Sequence, residues 1–283
     1  MMFDLFRPML PEAQHEQRLG YRQFLAARDG APDVAARTLS HREGRLQAFL
    51  SPRLAPRELD RRLFDAQYAR FDASRATSRE ALLILTLVKV NAAEAYGVNS
   101  SFPAALRRAQ ALDDDLELIL LIEETYHTKI LLSSALLYGI SVDAPYTPPA
   151  ALRLLIAGIE HAPQAIARPL TLASEILGTV AFLKLLYATR EICSSDPELR
   201  DAVEERLTDV LVDEIGHISF NRMCLGKSGL ERARSLLPWV ARGLSGAIPE
   251  FGALGLDVTS RGVEEVLSSS QLPEAVRRAA FIA

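Results

Sequence analysis

Two stretches of this sequence repeat one pattern: an acid, a glutamate and, three residues on, a histidine. One reads Glu123-Glu124-Thr-Tyr-His127, the other Asp213-Glu214-Ile-Gly-His217. Residues three apart share a helix face, so each Glu-x-x-His offers two ligand groups to one point. Glu94 and Glu175 lie in equally apolar surroundings, Val90-Asn-Ala-Ala-Glu94-Ala-Tyr and Leu172-Ala-Ser-Glu175-Ile-Leu-Gly. An unpaired carboxylate there costs several kcal/mol, and four of them with two imidazoles require cations in between. Carboxylate-rich sites with one histidine per ion suit iron or manganese better than structural zinc. The expected centre is dinuclear, held by Glu94, Glu124, His127, Glu175, Glu214 and His217. The expected cofactors are two ions of iron (Fe2+/Fe3+) or of manganese. A third match, Glu12-Ala-Gln-His15, lies on a polar segment and reads as chance. His41 and His161 have no Glu three residues before them and read as surface or satisfied histidines.

Those ligands need elements to hold them. Segments 78–96, 113–138, 169–193 and 196–225 are apolar on more than one face, as helices inside a bundle are. Ser78 and Asp196 are N-cap types, and Pro197 suits a first helical position. The run Asp113-Asp114-Asp115 reads as a helix start favoured by the dipole. There is no Asn-Gly hairpin turn and no sustained period-two alternation, so the expected class is all-α. Segment 139–168, with Pro145, Pro148, Pro149 and Pro163 around a short helix at 150–160, reads as a long crossover between the second and third helices of a four-helix bundle.

Spacing supports the ligand set independently. In an antiparallel hairpin, residues equidistant from the turn share a height. The midpoint of Glu175 and Glu214 falls at residues 194–195, in the turn sequence Ser194-Ser195-Asp196-Pro197. For Glu94 and Glu124 it falls at 109, between an expected break at Phe102-Pro103 and the helix start at Asp113.

One helical domain is expected over 1–283. It comprises an N-terminal helical extension (1–77), the metal core (78–225) and a C-terminal helical extension (226–283). Pro11, Pro32, Pro52 and Pro56 cut the first extension into short helices; it carries no evident chemical motif and is expected to cover something larger.

Composition excludes several classes. The chain has 283 residues, 49% hydrophobic and 24% charged, which is ample for a buried core. A net charge of −4, with basic residues dispersed, argues against nucleic acid as a partner. The 2 cysteines exclude a disulfide scaffold or a Cys-rich metal site. Cys193 and Cys224 end antiparallel helices, which puts them at opposite ends of the bundle and out of disulfide reach. The opening residues lack the basic segment and apolar run of a secretory signal, and the longest apolar run, 81–88, is too short to span a bilayer. The expectation is a cytoplasmic protein with no membrane partner.

In this order, on four helices with a long crossover, Glu94, Glu124-x-x-His127, Glu175 and Glu214-x-x-His217 resemble the ligands of the ferritin-like dinuclear carboxylate proteins. The resemblance covers about residues 78–225 and implies a ferritin-like bundle, O2 as co-substrate, a small-molecule substrate, an external electron donor and a homodimer. The acids Glu123 and Asp213 resemble those supporting the histidines in acyl carrier protein desaturases, radical-generating ribonucleotide reductase subunits and p-aminobenzoate N-oxygenases. By that resemblance Asp213 accepts a hydrogen bond from His127 and Glu123 one from His217; acids on an exposed helix flank are the other reading. Thr179 stands where bacterial multicomponent monooxygenases carry a threonine beside the oxygen-binding side of the metals. The resemblance makes it a donor in catalysis, whereas a bond back to the Glu175 carbonyl would make it structural. Gly178 would leave space for substrate, with Phe182 and Val210 lining the same pocket.

Departures narrow the group. Leu131 stands where the reductase subunits carry a radical tyrosine, and Tyr126 and Gly216 stand where the desaturases carry arginine. The layout is most similar to the p-aminobenzoate N-oxygenase-like group, although Val210 replaces a histidine that some of its members carry. The implied activity is a diiron oxygenase, an oxidoreductase of biosynthesis that N-oxygenates an amine. The alternatives are a hydroxylase or desaturase acting on carbon, and a ferritin-like protein for iron oxidation and storage.

Overall fold

At residues 193–196 the chain reverses as the sequence predicts. The Asp196 side chain accepts from the Leu199 backbone N–H at 3.1 Å and Pro197 opens the next helix, which satisfies one orphan donor and needs no other at that position. The computed structural model describes every residue except 1–4, 76–77, 113–114, 143–145, 260, 262 and 264–271, and leaves out the side chains at 108 and 110–112. Helix makes up 73% and strand 2%, so the class is all-α.

The described elements are α1 (Pro11–Asp29), a minimal hairpin of β1 (Pro32–Asp33) and β2 (Thr38–Leu39), α2 (Glu43–Leu50), α3 (Arg61–Ala69), α4 (Arg79–Leu112), α5 (Leu116–Leu136), α6 (Ala150–His161), α7 (Gln164–Ile192), α8 (Pro197–Met223), α9 (Lys227–Ala247), α10 (Glu250–Leu254) and α11 (Glu274–Ala279). The strands pair antiparallel, with Pro32 opposite Leu39.

Helices α4, α5, α8 and α7 touch in a closed ring: α4 on α5, α5 on α8, α8 on α7 and α7 on α4. Ile122, Ile130, Leu172, Ile176, Leu183, Leu207 and Leu211 fill the space between them and are fully buried. The crossover helix α6 lies against α4, α7 and α9, and α9 lies along α7. The N-terminal elements pack outside this ring, α1 on α8 and α2 with β2 on α5.

Two prolines expected to bound helices lie inside them instead. Helix α4 runs through Pro103 to Leu112 instead of stopping near Tyr96. Pro103 is exposed while Phe102, Ala104 and Ala105 are buried, so packing on both sides outweighs the roughly 3 kcal/mol that an interior proline costs. Helix α7 begins at Gln164, ahead of Pro169. Pro169 leaves the Ala165 carbonyl without its usual N–H, and the Arg232 guanidinium of α9 donates to that oxygen instead. Helix α9 likewise continues through Pro238.

The expected acidic helix start at 113–115 falls partly outside the described residues, since Asp113 and Asp114 are among those left out. Asp115 precedes α5 without capping it and pairs with Arg22 of α1. Pro145, in the crossover, is also outside the described residues. Cys193 and Cys224 are both free thiols.

By length and composition, windows in α4 (Arg79–Arg107) and α7 (Gln164–Ile192) are apolar enough to cross a membrane, contrary to the reading from the longest apolar run. Thr86 and Lys89 interrupt that run without interrupting the helix. The two windows are 61% and 67% buried within the fold, and core helices satisfy the same criterion.

Candidate metal centre

The i,i+3 spacing turns Glu124 and His127 of α5 toward α8, and Glu214 and His217 of α8 toward α5. The preceding acid on each helix points about a quarter-turn round and grips the imidazole of the other helix. His127 Nε2 donates to Asp213 Oδ2 at 3.0 Å and His217 Nε2 donates to Glu123 Oε2 at 3.0 Å. Both acids are buried, which removes the reading of exposed helix-flank carboxylates.

The inward nitrogens carry the decisive geometry. Glu124 reaches both, with Oε1 2.8 Å from His217 Nδ1 and Oε2 3.3 Å from His127 Nδ1. Glu214 Oε1 is 3.3 Å from His127 Nδ1, and Glu175 Oε2 is 3.7 Å from His217 Nδ1. Despite this proximity, neither Nδ1 makes a hydrogen bond, nor does the buried Glu94 Oε2. In the neutral tautomer fixed by Nε2 donation, Nδ1 presents a lone pair. A lone pair facing carboxylate oxygen at these distances is repulsive unless a proton or cation lies between.

The ligand atoms form two groups, each within 4.8 Å: Glu94, Glu124 and His127, and Glu124, Glu175, Glu214 and His217. Glu124 belongs to both, and the two imidazole centroids are 5.6 Å apart. All six residues named from the sequence thus come together, and either group could hold a metal ion. The match at Glu12 and His15 is exposed on α1 and joins neither group. His41 and His161 are exposed as well.

Without an ion, protons take the place of the missing charge. Burial pushes the Glu94 carboxyl well above the ordinary range, and the neighbouring Glu124 charge pushes it further. Burial and the Glu124 charge raise Glu214 to about 8. Burial alone would lower both imidazoles. The Glu124 charge with the Asp213 bond keeps His127 well above its usual value, and the Glu123 and Glu124 contacts do so for His217. Glu124, which burial would raise, is held below the carboxylate range by His127 and His217.

The N-terminal extension reaches this centre, which its sequence did not announce. Arg28 closes α1 and Arg42 precedes α2. Arg28 Nε donates to Asp213 Oδ1 at 2.7 Å and Arg42 Nη1 to Asp213 Oδ2 at 2.6 Å. Burial would raise Asp213, but Arg42 and Arg28 hold it well below the carboxylate range. Asp29 stands beside the pair, 3.4 Å from Arg42, and burial with the Glu123 and Asp213 charges raises it to about 8. Asp209, one turn before Asp213, accepts from both arginines at 3.2 Å. Gly216 lets α1 come close: a Cβ there would lie 3.0 Å from the Tyr21 hydroxyl oxygen.

A cavity of about 240 Å³ opens beside the ligands. Glu94, Glu124, Glu175, Glu214 and His217 lie in its wall, together with Gly178 and Phe182 as expected. Leu155 and Ile159 of α6 and Val240 and Leu244 of α9 roof it. Arg168 supplies a charged group to the wall, paired to Glu117 at 3.2 Å and Asn221 at 3.1 Å.

Two residues expected at the pocket stand outside the cavity wall. Val210 does not line the cavity; α8 faces it with Glu214, His217 and Asn221, whereas Val210 lies a turn earlier, packed in the core. Thr179 is buried outside the cavity wall, and its hydroxyl donates to the Glu175 carbonyl at 2.8 Å. That is the structural reading of Thr179.

No protein-family model, no curated protein and no solved structure matches this chain.

Proposed function

We propose that this protein is a non-haem diiron oxygenase that uses O2 to oxidise a small organic substrate, with an amine nitrogen as the atom oxidised. The four helices around the centre are read as a ferritin-like bundle with α6 in its crossover. One observation carries the proposal: two buried imidazole Nδ1 atoms without hydrogen bonds face the two oxygens of Glu124, with Glu94, Glu175 and Glu214 around them. These donors fit two divalent ions, and iron held there would supply the electrons and open coordination positions for reducing O2.

The chain's own residues do the rest. Glu124 would be shared by the two positions, and His127 and His217 would each offer one nitrogen, whose direction is fixed by Asp213 and Glu123. Glu94 and Glu175 close opposite ends of the ligand set. The apolar roof from α6 and α9 excludes bulk water and holds the body of an organic molecule against the ligands. A substrate-sized apolar cavity beside the centre favours oxidation of an organic molecule over mineral storage. Reduction between turnovers calls for an external electron donor.

The test is anaerobic loading with Fe2+ followed by exposure to 18O2, with and without a panel of arylamines, alkylamines and apolar hydrocarbons. The expected result is substrate-dependent O2 uptake and one labelled oxygen on nitrogen. Label on carbon would replace N-oxygenation by hydroxylation, and ferric mineral without product would overturn the oxygenase reading.

A further inference from the structure

We propose that Arg28 of the N-terminal extension is a positioning residue for one of the two ion positions, the one that Glu94, Glu124 and His127 share, whereas Arg42 stands against the supporting acids of both. The inference rests on reading the centre as metal-binding.

Its basis is an asymmetry between the two acids behind the histidines. Asp213, behind His127, has both oxygens engaged. Oδ1 receives Arg28 Nε at 2.7 Å, and Oδ2 receives Arg42 Nη1 at 2.6 Å together with His127 Nε2 at 3.0 Å. Each arginine is anchored a second time on Asp209, at 3.2 Å. The carboxylate therefore cannot rotate, and its direction sets the ring of His127, whose other nitrogen faces the ion position. Among the described residues Glu123, behind His217, is paired to one arginine, Arg42, at 3.7 Å. Arg28 touches Asp213, Asp209 and Asp29, and among the described residues it makes no ion pair with Glu123. Planar guanidinium forks suit this work, because each satisfies two carboxylates in one rigid geometry.

Arg28 thus reaches from outside the ring of helices to one half of the centre. With the clamp gone, Asp213 is free to turn, His127 loses its fixed orientation, and the Glu94 position weakens. The Glu175 and His217 position keeps its ligands and its own supporting acid.

The experiment titrates the full-length protein with Mn2+ and follows binding by calorimetry and by electron paramagnetic resonance. Wild type is expected to bind two ions per chain and to show an exchange-coupled spectrum. Arg28→Gln is expected to keep one tight ion and bind the other about 10- to 100-fold more weakly, with the six-line spectrum of isolated Mn2+. Arg28→Lys, which restores the charge, should recover part of the lost affinity. As a control, Arg57→Gln removes an ion pair made at 2.8 Å to Asp196, at the far turn, and should leave both ions coupled. Should Arg28→Gln fail to fold, Asp209→Asn, which removes the second anchor of both arginines, takes its place with the same expected split. A coupled pair at wild-type affinity in the variant, or loss of both ions together, overturns the inference. If wild type itself binds no Mn2+ or Fe2+, the metal reading fails first, and the two failures are told apart.

Discussion

His217 Nδ1 of α8 lies 2.8 Å from Glu124 Oε1 of α5, so one carboxylate links the two helical motifs. Its second oxygen stands 3.3 Å from His127 Nδ1, which makes Glu124 common to both ligand groups. Glu124→Ala should therefore abolish loading of both ions, whereas Glu94→Ala should spare the Glu175 and His217 position. Metal analysis after gel filtration checks this. Unchanged metal content in Glu124→Ala would show the ligand assignment to be wrong.

Metal uptake should expel protons. In the ion-free protein Glu214 titrates at about 8, and Glu94, His127 and His217 are raised as well, so each gives up a proton when an ion enters. Affinity should rise with pH through about pH 8, where Glu214 gives up its proton, and calorimetry in buffers of different ionisation enthalpy should report proton release. The ion-free fold has the opposite slope. A carboxyl raised on folding stabilises fully below its unfolded value, and that stabilisation fades as pH rises through the folded value. Glu214 thus makes ion-free protein lose stability between about pH 4.5 and 8, and thermal melts with and without Mn2+ should diverge over that interval.

Thr179→Val should leave oxygen reactivity within about 2-fold of wild type, because its hydroxyl is engaged with the Glu175 carbonyl inside α7. Stability should change by less than about 1 kcal/mol. A large loss of O2 uptake at unchanged metal content would restore a catalytic role for this hydroxyl.

Gly178→Leu should separate metal binding from substrate binding. Gly178 lines the cavity, and a Cβ there would sit 3.8 Å from Glu214 Oε2, an ordinary contact. The added side chain then occupies substrate space without displacing the ligand. Both ions should be retained while kcat/KM for the organic substrate falls about 10-fold or more.

Gly216→Val should unseat α1. The position has no room for a side chain, since a Cβ would approach the fully buried Tyr21 within 3.0 Å of its hydroxyl oxygen and 3.2 Å of its ring. Overpacking of this kind costs about 1 to 3 kcal/mol, measurable by urea unfolding. Added proteolysis near residues 30–40 should accompany it.

Much of the centre was legible in the sequence because it breaks a rule of burial. Acids and imidazoles in apolar helices are conspicuous, and the three-residue spacing places them on one face whatever the details of packing. The turn at Asp196 was legible for the same local reason, a capping side chain followed by proline. What escaped was non-local. Arg28 and Arg42 are two arginines among many in a polar segment, and no spacing ties them to Asp213, more than 170 residues away. Pro103 and Pro169 misled because helix continuation there depends on neighbours that bury the flanks or, at Ala165, supply a substitute donor. Val210 stands outside the cavity wall, because periodicity gives the face of a helix but not the end toward which a cavity extends.

The crossed grip between α5 and α8 also sets an order of events in the life of the chain. Each imidazole is steered by an acid that the ribosome makes about ninety residues before or after it, so no partial translation product holds a finished pocket. On the metal reading proposed above, loading of ions would follow docking of α8, because neither imidazole has its supporting acid in place before then.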